Sequence, residues 1–288
     1  MPLFLQLPQE IVDRFVDYLQ ENGRCHQLQA CTLTHRSFLP RCHFYLFSII
    51  HLRDAKTSRM SDLCNILQRN PFLGQFIQEM RLSVSGTDLS CFTNDRWFIM
   101  VVNLLTQQGC SLRKLAIIKA NASWPARIIH PDVFAKQMSC IVSSAQEFEF
   151  GSISGVPMGL VTPSAELRKL VLNDATFAYS ETEPTEVLQI GDSPSPLAGP
   201  SIRHLEISSC PVNTLYQLLF PDDYPRKAPI QTLDMRQLSS ITILITSRKN
   251  MAMAHKVLGV IGKQLHSLRV TLDYIGDISQ YKSSTWFD

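Results

Sequence analysis

The sequence predicts an α/β chain in two parts. Three short helices occupy residues 1–52, and an irregular solenoid of parallel strands and helices fills residues 53–288, strands on the concave side and helices on the convex. Three observations predict it. Apolar residues in the first stretch recur at helical spacing and are punctuated by Pro8 and Asn22-Gly23. A six-residue motif, apolar-x-x-apolar-x-apolar, then occurs seven times. Helix-like segments lie between its copies. A unit of one strand and one helix cannot bury its own apolar face, so neighbours must stack and share a core.

The first helix begins at Pro8, since the first helical position needs no backbone N–H and favours a fixed φ. Glu10 suits the positive end of the helix dipole. Ile11, Val12, Phe15, Val16 and Leu19 share a face, and Asn22-Gly23 supplies the stop. A second helix carries Leu28, Cys31 and His35; a third runs from Ser37 to Phe47. Three short helices make a very small core, which needs a partner or a neighbouring domain.

After a polar loop from Arg53 to Ser58, a helix is expected over Arg59–Gln68, with Met60, Leu63, Ile66 and Leu67 aligned and Asn70-Pro71 ending it. The motif copies follow. They are Ile77-x-x-Met80-x-Leu82, Leu112-x-x-Leu115-x-Ile117, Ala145-x-x-Phe148-x-Phe150, Leu167-x-x-Leu170-x-Leu172, Ile202-x-x-Leu205-x-Ile207, Ile230-x-x-Leu233-x-Met235 and Leu265-x-x-Leu268-x-Val270. Helices are expected between them at Asp95–Gln108, Pro131–Ser144, Val212–Phe220 and Asn250–Gln264. The first of these is apolar nearly all round and should be buried. Ser180–Ser201 and Pro221–Pro229 read as polar surface loops, and Ile241–Thr246 as a further strand outside the repeat. The strand-plus-helix period is the signature of a degenerate leucine-rich-repeat-like array. Only the copy at Ile202 extends to the full consensus, through Cys210 and Val212.

The N-terminal residues carry a resemblance. Leu7-Pro8-x-Glu10-Ile11, then Leu19, Leu28, Cys31 and Arg36-x-Phe38, and finally Leu46-Phe47, resemble an F-box, especially that of fungal proteins. Phe38 stands where the family usually has Trp, and His26-Gln27 where an acidic residue is common. The resemblance implies docking on the Skp adaptor of a Skp–cullin–F-box ubiquitin ligase. Leu7, Pro8, Ile11, Phe15, Leu19, Leu28 and Phe38 would be divided between the helices' own core and the adaptor. A repeat array behind an F-box implies a substrate-recognition role, with cullin reached through the adaptor. The alternative is a repeat scaffold outside any ligase, its N-terminal helices a structural cap.

Composition narrows the classes. The chain has 288 residues, is 45% hydrophobic and carries a net charge of +2, so it can bury a core and has no bulk charge for nucleic acid or an anionic membrane. The opening MPLFLQLP lacks a basic n-region, no apolar run is long enough to span a bilayer, and eight scattered cysteines suit a reducing, cytoplasmic or nuclear setting. Cys25, His26, Cys31, His35, Cys42 and His43 raise the question of zinc, but their spacing lacks the close pairs of structural sites. Gly151–Gly155 reads G-S-I-S-G rather than a nucleophile elbow, and no phosphate-binding loop or metalloprotease motif occurs. No enzyme and no cofactor is expected.

Residues between the apolar motif positions should point to the concave face. They are Arg81, Lys114, Glu147, Glu149, Lys169, Asn173, His204, Glu206, Asp234, Arg236 and Arg269. Mixed signs and few aromatics suit a protein partner better than nucleic acid.

Overall fold

The computed structural model describes residues 7–53, 57–83, 92, 95–123, 138, 140–157, 160–161, 164–178, 201–208, 237–245 and 248–272. Three helices open the chain: α1 (Gln9–Glu21), α2 (Cys25–Thr34) and α3 (Leu39–Phe47), with a single 3-10 turn at Arg36–Phe38. Pro8 precedes the first helical residue rather than occupying it; its carbonyl accepts from the Ile11 amide at 3.0 Å. Gly23 ends α1 at φ +66°, where the Arg24 amide reaches back to the Leu19 carbonyl at 3.0 Å. His35 then caps the 3-10 turn by accepting from the Ser37 amide.

The three helices close on a core of their own. Val12, Val16, Leu19, Leu28, Phe38 and Cys42 are buried together. Burial, and then the neighbouring Cys31, pushes the Cys42 thiol up to about 11, so this cysteine is packing material rather than a nucleophile. An ion pair ties α1 to α3: Arg41 grips both Asp17 carboxylate oxygens, at 2.7 and 3.0 Å, and the Tyr45 hydroxyl donates to Asp17 at 2.8 Å. The Arg41 hydrogen bond holds the Asp17 carboxyl below its ordinary range, against the opposing effect of burial. Asp17 therefore stabilises the fold above the ordinary carboxylate range, and the contribution fades as pH falls through its depressed value. Both side chains are about one-third exposed, at 36% and 33%. Asp17→Asn is accordingly expected to cost only about 1 kcal/mol at neutral pH. Urea melts of variant and wild type should converge in strong acid.

A parallel sheet begins directly after α3. Its strands are β1 (Ile49–Arg53), β2 (Glu79–Ser83), β3 (Lys114–Ser123), β4 (Glu147–Ser154), β6 (Lys169–Asn173), β8 (His204–Ser208), β9 (Ser240–Ile245) and β10 (Ser267–Leu272). Two-residue strands β5 (Val156–Pro157) and β7 (Phe177–Ala178) pair separately. The order in the large sheet is β1-β2-β3-β4-β6-β8-β9-β10, so each new strand adds on the same side. Among the described strands the order never reverses, so they form no switch-point crevice of the kind in which open α/β sheets usually hold ligands.

Between strands lie α4 (Thr57–Arg69), α5 (Arg96–Gln107) and α6 (Arg248–Ile261). Asp95 caps α5, its carboxylate accepting from the Trp97 and Phe98 amides at 2.7 and 2.9 Å, and Gly109 ends it at φ +65°. Of the helix expected over Pro131–Ser144, Met138 and 140–142 are helical and the remainder lies largely outside the described residues. The Val212–Phe220 helix, the Pro221–Pro229 loop and nearly all of Ser180–Ser201 also lie outside them.

One continuous core runs under the sheet from β1 to β9. It takes the motif residues from Ile50 and Leu52 through Phe148 and Phe150 to Ile241 and Ile243, with Met60, Cys64 and Leu67 of α4, Phe98, Val101, Val102 and Leu105 of α5, and Ala254, Val257 and Ile261 of α6. Ile66, expected on the inner face of α4, is instead 39% exposed, one position past the buried stripe. Cys110 is buried in this core and its thiol donates to the Ile77 carbonyl, joining the starts of two successive units.

Two elements differ from expectation. The sheet starts at Ile49, inside the stretch assigned to the helical part, because Phe47-x-x-Ile50-x-Leu52 is itself a copy of the motif. The copy expected at Ile230-x-x-Leu233-x-Met235 lies outside the described residues. The strand that joins β8 to β10 is β9, built on Leu238-x-x-Ile241-x-Ile243, all three buried. Both stretches satisfy the motif, and the pairing His204↔Ser240 places the second in the sheet.

Candidate functional site

Parallel pairing stays in register across the motif positions, the β3–β4 pair shifting only beyond Ile118, and sets side chains of equivalent positions side by side. On the face opposite the core, the first row is Ile49–Glu79–Lys114–Glu147–Lys169–His204–Ser240–Ser267. The second is His51–Arg81–Ala116–Glu149–Val171–Glu206–Thr242–Arg269. Rows of neighbouring strands are about 4.8 Å apart, within reach of Lys and Glu side chains. Purely parallel sheets are usually covered on both faces. Among the described residues, this face carries a lattice of charges in place of a second apolar layer.

Lys114 is its centre. Its ammonium lies 2.9 Å from Glu147, 2.8 Å from Glu149 and 3.9 Å from Glu79. Glu149 has apolar row neighbours, Ala116 and Val171, both buried, so its charge is met diagonally from the first row. Lys169 lies 3.2 Å from Glu147 and 3.9 Å from Glu206, and Arg81 donates to Glu79 at 2.7 Å. Burial alone would raise the Glu147 carboxyl; the Lys114 hydrogen bond and the Lys114 and Lys169 charges outweigh it and hold it below its ordinary value. Burial likewise opposes the Lys114 charge, and Glu149 and Glu147 reverse that and raise its pKa.

Lys114→Met leaves this cluster short of its main cation. The three side chains are only 22–24% exposed, so the cost is intermediate between a surface and a buried pair, about 2 kcal/mol at neutral pH. Glu147 stabilises the fold above the ordinary carboxylate range and loses that contribution as pH falls. The gap between variant and wild type in urea melts should therefore narrow in acid. Adding Glu149→Gln should recover part of the loss.

The remaining expected face residues are dispersed. Asn173 accepts a hydrogen bond from the Ser208 hydroxyl one strand away. His204 is exposed, and Arg269 is exposed on the last strand. Asp234 and Arg236 lie outside the described residues. Sequence reasoning missed Glu79 and His51, which occupy the same register as Lys114 and Arg81. The signal was present for Glu79, the residue immediately before Met80. His51 was hidden because β1 was not expected, and its imidazole pKa is lowered by burial and by Arg53 and Arg81.

At the N-terminal rim of the strands a further row precedes the first: Gln78, Arg113, Gln146, Arg168, Arg203 and Ser239. Each carbonyl from Gln78 to Arg203 accepts two amides of the next strand, as Arg113 does from Gln146 at 2.8 Å and Glu147 at 3.0 Å. An open groove of about 350 Å³ follows this rim from Gln78 to Arg168, with the charged row from Glu79 to Lys169 behind it.

The N-terminal residues divide by helix angle. Leu19, Leu28 and Phe38 are interior, at 4%, 0% and 3% exposure, and are not available to any partner. They form the helices' own core with Val12 and Val16. Leu7, Ile11 and Phe15 are 45–48% exposed, and Pro8 is exposed. Tyr18, at 55%, continues the stripe one turn on and was not anticipated, although its spacing of seven from Ile11 predicts it. Phe15 leans edge-on against Phe38 with ring centroids 6.2 Å apart, so one side of it is anchored and the other open.

No family model, curated protein or solved structure matches the chain. Among the described residues, no helix is long and apolar enough to cross a membrane.

Proposed function

We propose that this chain is a substrate-recognition adaptor of a Skp–cullin–F-box ubiquitin ligase. Its N-terminal helices are an F-box that docks on the Skp adaptor, and its sheet is the strand layer of a leucine-rich-repeat-like solenoid that holds a protein substrate. The observation that carries the reading is the exposed stripe Ile11, Phe15 and Tyr18 on α1, with Leu7 just before the helix. Leu7, Ile11 and Tyr18 join neither of the two cores, Phe15 touches one only through the edge of Phe38, and the helical core is closed without them. Clustered exposed apolar side chains mark a docking surface. A structural cap would turn this stripe inward. The unit meets the sheet through α3 and the neighbouring 3-10 turn Pro71–Phe76, with Phe47 against the large core, and among the described residues α1 packs mainly on the other N-terminal helices.

The proposed role is positioning. The self-paired charges of the sheet present a fixed pattern of signs, suited to register a partner rather than to catalyse. Holding a substrate beside a ubiquitin-loaded enzyme raises effective concentration and thereby the rate of transfer. Co-expression with a Skp adaptor, followed by size-exclusion chromatography, tests the first half. A stable one-to-one complex supports the reading. A monomer that ignores the adaptor makes the N-terminal helices a cap on a scaffold outside the ligase.

A further inference from the structure

We infer that the N-terminal rim of the sheet is a binding site for an acidic peptide segment, held by Arg113, Arg168 and Arg203. Most cations of the open face are consumed. Lys114, Lys169 and Arg81 all pair with carboxylates of the same lattice. The three rim arginines are different: each is exposed, and none forms an ion pair with a described residue. They share one register row, each immediately before β3, β6 or β8, with Gln146, immediately before β4, between the first two. Strand spacing places Arg168 and Arg203 about 5 Å apart along the row and Arg113 about 10 Å from Arg168.

The rim backbone cannot hold an anion itself, because its amides are already donated to the preceding carbonyls, as with Arg203 and His204 to Arg168 at 2.9 Å. Recognition therefore falls to the guanidinium groups, whose planar forks match carboxylates in bidentate geometry. Alternate side chains of an extended peptide recur every ~7 Å, so three acidic residues at every second position span ~14 Å, close to the ~15 Å from Arg113 to Arg203, and the long arginine side chains take up the uneven steps between. Gln78 and Gln146 add neutral donors along the same groove. Nucleic acid fits less well. Among the described residues, no aromatic side chain lines the groove to stack a base. The inference rests on the sheet alone and holds whether or not α1 binds an adaptor.

The test is fluorescence anisotropy of the full chain with a labelled peptide carrying glutamate at alternate positions, against a lysine counterpart and a single-stranded oligonucleotide of equal charge. Binding of the acidic peptide should weaken with salt. It should fall at least about tenfold in the triple variant Arg113→Gln, Arg168→Gln, Arg203→Gln, and stay unchanged in Arg36→Gln on the helical unit. Arg168→Gln alone, expected to fall several-fold, serves if the triple variant melts early. Equal binding by wild type and variants overturns the site. So does no binding of the peptide by wild type, or tighter binding of the oligonucleotide.

Discussion

Phe148→Ala is expected to destabilise the chain by about 4 kcal/mol, the largest effect of any single truncation considered. Phe148 is fully buried at the fourth motif position of β4, in the interior of the eight-stranded sheet. Its ring stacks on Phe150 at 5.9 Å with planes 6° apart, and Phe150 meets Phe177 edge-on at 6.0 Å. Removing it opens a cavity that strands on both sides must leave unfilled, since β3 and β6 are held in register on either flank. Closing the void would shift the Lys114–Glu147 pair on the opposite face of the same strand. Leu268→Ala is the control. It occupies the equivalent position of β10, but at the sheet edge and 49% exposed, so the same kind of truncation should cost about 1 kcal/mol or less. Urea unfolding followed by circular dichroism measures both, and equal costs would contradict the assignment of one interior and one edge strand.

The motif made most of this sheet legible before any coordinates. Alternation across Met80 and Leu82, or Phe148 and Phe150, states both that the stretch is a strand and which face is buried. It points to Ile230-x-x-Leu233-x-Met235 as the copy after β8 and leaves Ile241–Thr246 outside the repeat, although Leu238-x-x-Ile241-x-Ile243 fits the motif equally and its strand pairs with both β8 and β10. The first strand escaped notice for a related reason. Phe47 ends α3 and also opens the motif of β1, so helix and strand periodicities overlap at one residue. Charges on the open face followed from phase alone, but their pairing did not: that Lys114 reaches Glu149 diagonally depends on Ala116 and Val171 flanking it in the next row. On α1 the apolar stripe is wider than one buried face. Ile11 and Val12 are adjacent in sequence yet about 100° apart on the helix, which sends Val12 to the core and Ile11 to solvent.

That same angular separation makes Ile11→Asp the decisive change for the proposed ligase role: capture of the Skp adaptor is expected to fall by more than about 100-fold. Ile11 is 48% exposed and belongs to neither apolar core, so the substitution leaves the helical unit's own packing intact. In a docked complex its exposed half would be buried, a contribution of about 1 kcal/mol. A carboxylate placed there without a partner adds several kcal/mol more of desolvation, which accounts for most of the expected loss. Val12→Asp must be run beside it. Val12 is 2% exposed in the three-helix core, and a charge there should unfold the unit and abolish binding indirectly. Only Ile11→Asp should combine an unchanged urea melt with a lost complex in size-exclusion chromatography. If Ile11→Asp still elutes with the adaptor at wild-type stoichiometry, the α1 stripe is not the docking surface, and the exposed Leu33 of α2, at 89%, becomes the next residue to change.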